Sequence, residues 1–114
     1  MKHFTAIYMM PVQGLEDWMS KPEEERKEAE DKMKADWDLW LEANKESVLN
    51  TIGLGKTKRA TAEGITDATN GMMLSSYVQA ESVEAVSELF KNHPHLGIPG
   101  AFIDIMEANQ MSGM

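Results

Sequence analysis

The first ten residues restrict the possible folds more than any other stretch. Between Lys2 and Met10, one parity carries His3, Thr5, Ile7 and Met9, and the other carries Phe4, Ala6, Tyr8 and Met10. A repeat of two is that of a β-strand. Both parities are largely apolar, so a strand here needs cover on both faces and belongs in the middle of a sheet. Pro11 ends it and Gln13-Gly14 supplies a loop. Leu15 to Met19 is expected to make one helical turn that lays Trp18 and Met19 over the core.

Ser20-Lys21-Pro22-Glu23 reads as a helix start, with Ser20 capping, Pro22 in the first turn and Glu23 at the capping-box position. In the long helix that follows, Ala29, Met33, Trp37, Trp40 and Leu41 share one stripe. Glu23–Lys27, Glu28–Lys32 and Glu30–Lys34 are spaced as i,i+4 ion pairs on other faces. Trp37 and Trp40 are read as core or interface rather than as a ligand-stacking box, because a helix covering a sheet needs large apolar side chains at this spacing.

Val48 to Leu54 is strand-like, with a bend at Gly53 and Gly55, and Lys56 to Ala62 is taken to continue it. A turn-rich link bounded by Glu63-Gly64 and Asn70-Gly71 leads on. Gly55-Lys56-Thr57 resembles the end of a phosphate-binding loop only superficially, since Asn50 stands where the leading glycine is required. Met72 to Gln79 alternates as a strand. A second helix begins at Glu81 or Ser82, with Val83, Val86, Leu89 and Phe90 as its buried stripe. Pro94 stops that helix and holds the following residues extended. Ala101 to Glu107 closes as a strand, and 109–114 reads as a flexible tail behind a single domain over 1–108.

The resulting order is βαββαβ. It is the α+β, ferredoxin-like pattern, a four-stranded antiparallel sheet with both helices on one face. The other face then carries apolar residues with nothing over them, so the expected assembly is a symmetric homodimer joining two sheets into a dimeric α/β barrel.

Composition narrows the function. A net charge of −8 with only two arginines, Arg26 and Arg59, argues against nucleic acid as a partner. No apolar run approaches a membrane span, and Met1-Lys2-His3 leads straight into the strand pattern without a signal-peptide core, so a cytoplasmic protein is expected. The absence of cysteine removes thiolate chemistry and cysteine zinc sites. The ten methionines are read as fillers of an irregular core, the alternative being a pliable pocket or interface.

Candidate chemistry gathers in the last third of the chain. His93 and His95 flank Pro94, as general bases, as a partial metal site, or as a cap on helix-end carbonyls. Asp104 stands in an apolar strand, where a carboxylate needs a donor or a cation. With Ile103 and Ile105 toward the helices, Asp104 faces the dimer cavity beside Phe102 and Met106. Ser75, Tyr77 and Met73 join from the neighbouring strand and Tyr8 from the first. Such a lining suits a small, partly aromatic ligand. The linker Gly97-Ile98-Pro99-Gly100 either folds the histidines back toward Asp104 or carries them away from it. Neither a metal nor a cofactor is expected.

From Gly71-Met72-Met73-Leu74 through Ala85 to Asn92-His93-Pro94 and Ile103-Asp104-Ile105, the chain resembles the YCII-related family of small dimeric α/β barrels. That resemblance implies a barrel dimer with a small-molecule cavity and, by analogy with dimeric barrel enzymes, lyase- or isomerase-type proton transfer by Asp104 or a histidine. The chain departs from the family in two places. Thr66-Asp67-Ala68-Thr69 stands where many members have Asp-Gly-Pro-Phe, and 23–46 contains no histidine for the histidine–aspartate pair used by some. The alternative functions are a sensing module that binds without chemistry and an interaction protein whose sheet face only dimerises.

Overall fold

The computed structural model describes residues 1–111. Strand β1 (Lys2–Met9) lies between β5 (Met72–Ala80) and β6 (Phe102–Glu107), and β2 (Val48–Gly53) pairs with the outer side of β5. All three pairings are antiparallel, and the spatial order β2-β5-β1-β6 is the ferredoxin-like one. Helices α1 (Val12–Met19), α2 (Glu23–Ala43) and α3 (Val83–Phe90) connect the strands.

Alternation settles which side chains share a face. Phe4, Ala6 and Tyr8 of β1, Ser76, Val78 and Ala80 of β5, and Val86 and Phe90 of α3 are buried together. Trp37, Trp40, Leu74, Leu89, Ile103 and Ile105 pack against this core. The opposite parity forms the second face, where Ser75–Ile7–Asp104 and Tyr77–Thr5–Met106 run as rows across β5, β1 and β6. Tyr77, Phe102 and Met106 are 38%, 45% and 49% exposed, so this face lies uncovered in the single chain. The molecule is correspondingly flat, 19 Å in its thin dimension against 44 Å in the other two.

Several local expectations need correction. The helix after Pro11 has two turns rather than one, and Ser20 closes it instead of capping the next; α2 starts after Pro22 with no side-chain cap. Three glutamates in the first turn of α2 stand in for a cap electrostatically. Lys32 and Lys34 pair forward with Asp36 and Asp38, and none of the three expected Glu–Lys bridges forms. Ala29 and Val83, assigned to buried stripes, are exposed, whereas Trp37 and Trp40, read as core or interface, are half-buried against the core.

The largest miss lies between β2 and β5. Residues taken as a continued strand and a link form a separate hairpin, β3 (Thr57–Thr61) with β4 (Gly64–Ala68), tied by a Lys58–Asp67 ion pair. This arm and the exposed first half of α2 explain a radius of gyration of 16.0 Å, against about 13 Å for a compact chain of this length. Among the described residues, methionine supplies none of the fully buried core, so these side chains do not act as its fillers. The expected tail has no helix or strand over 109–111, and its remainder lies outside the described residues.

Candidate functional site

The end of β1 anchors the region of interest. The Met10 amide donates to the Gly71 carbonyl at 2.8 Å, and a Cβ on Gly71 would overlap the Met10 carbonyl oxygen, so only glycine permits this approach. Gly100, at φ 77°, sits where a side chain would run into the Pro11 ring. These contacts fix the place where the chain leaves the sheet for α1, and where 98–101 turns into β6.

Pro94 begins a 3-10 turn, Pro94–Gly97, instead of holding an extended segment. A proline suits the first position of such a turn because no amide is needed there. His93 caps it, its Nδ1 accepting the backbone N–H of His95 at 3.0 Å. The imidazole therefore serves the turn that follows, not the carbonyls of the helix before it.

With Nδ1 accepting, the proton of neutral His93 sits on Nε2, which has no hydrogen-bond partner among the described residues. The ring is 2% exposed and packed among Trp37, Trp40, Tyr8 and Phe90, with centroids 4.3, 4.5, 5.1 and 5.9 Å away. The ring planes of His93 and Trp37 are nearly perpendicular, at 86°, a geometry in which an N–H finds weak compensation from an aromatic face. Burial, with a smaller contribution from the neighbouring His95 charge, pushes His93 down to about 4.

His95 is equally buried but sits at the edge of open space. Its Nε2 meets the Met9 carbonyl at 2.9 Å and, as the donor, leaves Nδ1 as the basic atom of the neutral ring. Burial lowers its pKa, while backbone hydrogen bonds at Met9 and Phe102 partly oppose the shift. His95 is neutral at pH 7.

Beyond His95 opens a cleft of about 530 Å³. Leu15 and Trp18 of α1 form one wall, Ala29, Met33 and Trp37 of α2 a second, Met10, Met73 and Leu74 the sheet end, and Ile98 and Pro99 the far side. Lys21, Glu30 and Lys34 also line it. Three methionines and two tryptophans thus border a volume of the size that small ligands occupy. Among the described residues, no group of three or more His, Asp or Glu side chains is placed to hold a metal ion.

The candidates named from the sequence are divided by the sheet. His95 and Met73 reach the cleft, and His93 lies behind Trp37. Tyr8 is on the helix side too, but it belongs to the core: it is fully buried, its hydroxyl 2.8 Å from Ser76 Oγ, which in turn lies 2.7 Å from Thr51 Oγ1. Burial raises the Tyr8 pKa, more than the Ser76 bond offsets. Asp104, Ser75, Tyr77, Phe102 and Met106 occupy the uncovered face. The turn does fold back to β6, but on the side away from the Asp104 carboxylate, so no histidine–aspartate pair forms. Sequence reading missed Trp18, Met33, Ile98 and Pro99. Only the paired methionines and tryptophans at helical spacing hinted at them.

No protein-family model matches the chain, and no curated protein matches it in sequence. In structure the chain is similar to 5-chloro-2-hydroxyhydroquinone dehydrochlorinase (TftG) from Burkholderia phenoliruptrix AC1100, solved in complex with 2,5-dihydroxybenzoquinone. The two agree with a TM-score of 0.54 over 96% of this chain and 95% of that one, at 14% identity, a likeness of fold.

Proposed function

We propose that this protein binds a small, ring-containing organic molecule in the cleft between α1, α2 and the end of the sheet. The observation that carries this is the 530 Å³ volume itself, walled by Trp18, Trp37, Met10, Met33 and Met73, while the fully buried core contains no methionine among the described residues. Thioether side chains adapt to a flat ring, and the indoles offer it stacking surface. The dehydrochlorinase of similar fold, held with a hydroxylated quinone, supports a ligand of that size. Distant membership of the YCII-related family is part of the same reading, supported by the Gly71-led strand and the Asn92-His93-Pro94 corner.

His95 lines the cleft, and this favours a second reading, proton transfer to or from the bound ring by its imidazole. In that reading His95 replaces Asp104 as the group doing the chemistry. A second copy of this chain is proposed to cover the face carrying Ile7, Tyr77, Phe102 and Met106; sedimentation at micromolar concentration should show a dimer, and a monomer would remove that part.

The test of binding is a thermal-shift and tryptophan-fluorescence titration with 2,5-dihydroxybenzoquinone and related hydroxylated benzenes. A probe at about 100 times its Kd should stabilise by about 2.7 kcal/mol. Ala29→Trp, which fills the cleft from an exposed helix position, should abolish the effect, and Met106→Ala should not. Loss on Met106→Ala with retention in Ala29→Trp would move the site to the uncovered face. Proton transfer predicts exchange of a ring hydrogen of the bound probe with D2O that His95→Gln removes.

A further inference from the structure

Resting on that reading of the cleft, we infer that the ring it takes carries an anionic group, a carboxylate or phenolate, received by Lys21. Lys21 joins the end of α1 to the start of α2, and it lines the cleft beside Trp18, with its Nζ 5.7 Å from the centre of that indole. Among the described residues, no carboxylate pairs with it. The other lining cation, Lys34, is engaged by Asp38 at 2.9 Å. Glu30 is the one acidic side chain in the wall. The rest of the lining is mostly apolar, with Glu30, Lys34 and His95 as its other polar side chains, so Lys21 is the lining cation that no carboxylate among the described residues already engages.

The arrangement reads an aromatic acid in two parts. The indole of Trp18 and the thioethers of the cleft take the ring, and Lys21 takes the charge at the mouth, where neither partner is fully desolvated. Its present contact with the face of Trp18 is a weak cation–π interaction, readily exchanged for a charge-assisted hydrogen bond to an anion. The acidity of the remaining surface disfavours anions elsewhere, so charge contributes selectivity as well as affinity.

The test compares three probes of one ring size by calorimetry at neutral pH: 2-naphthoate, the neutral 2-naphthalenemethanol and the cationic 2-naphthylmethylammonium. Naphthoate should bind at least ~10-fold more tightly than the alcohol, a difference of about 1.4 kcal/mol, and the ammonium most weakly. Lys21→Met should bring naphthoate down to the alcohol and leave the alcohol unchanged. Lys34→Met should change the ratio far less, and added salt should weaken naphthoate alone. Equal binding of acid and alcohol, or a preference that survives Lys21→Met or disappears in Lys34→Met, would overturn the assignment while leaving the cleft as a ring site. If none of the three binds, the cleft reading and this inference fall together.

Discussion

Two regions on the same side of the sheet are finished in different ways. Under α3, the aromatic and β-branched side chains Phe4, Val78, Val86 and Phe90 close the space completely. Under α2 the closure is partial: Trp37 and Trp40 touch the core, while the preceding turns, rich in glutamate and lysine, have only Ala29, Met33 and Ala35 as apolar side chains with which to follow the sheet. Flexible methionines and a short α1 border what is left over, and a cleft results. The two halves meet at His93 and His95, one sealed among rings and the other opening on the hollow. A site arises here where a helix lacks the apolar residues to finish its packing, on rigid walls supplied by the part that is finished.

The sharpest way to break this contrast is to truncate one residue from each region and compare urea unfolding. Phe90→Ala should cost about 3–5 kcal/mol, and Met33→Ala well under the ~2–5 kcal/mol of a buried Met or Leu. Equal costs would mean that the cleft side is packed as tightly as the core. Next in size is Ser76→Ala, which leaves the buried Tyr8 hydroxyl without its partner and should cost about 1–3 kcal/mol by the same measurement.

Acid sharpens the comparison between the histidines. His93 titrates at about 4 in the folded chain and near 6.5 when unfolded, so between those values the unfolded chain binds the extra proton. Its contribution to stability is present in full above about pH 6.5 and is lost as pH falls toward about 4; His95 acts in the same direction. Unfolding curves across this window should flatten in His93→Gln, and an unchanged slope would show that His93 is hydrated. At the small end, Lys34→Ala breaks an exposed pair with Asp38 and should leave the urea unfolding midpoint essentially unchanged.

The four sheet strands were legible, and so was the parity of the last, because alternation reports burial directly: Ile103 and Ile105 against Phe102, Asp104 and Met106 came out on the sides expected. The uncovered face was legible for the same reason. The β3–β4 hairpin was not, because nothing in it is buried in a core; its trace was only the β-branched Thr57, Thr61, Ile65 and Thr66 around the Ala62-Glu63 turn. The cleft was illegible because it depends on how closely α2 follows the sheet, which no single residue encodes. Tyr8 was placed with the ligand because both parities of its strand are apolar, and only the observed burial and the hydroxyl bond to Ser76 assign it to the core.

The methionines provide the most direct test of the central claim. In protein labelled with 13C at the methionine methyl groups, adding 2,5-dihydroxybenzoquinone or 2-naphthoate should shift Met10, Met33 and Met73 and leave Met19, Met106 and Met111 in place. Shifts concentrated at Met106, on the uncovered face, or no shifts at saturating probe, would contradict a binding site in the cleft.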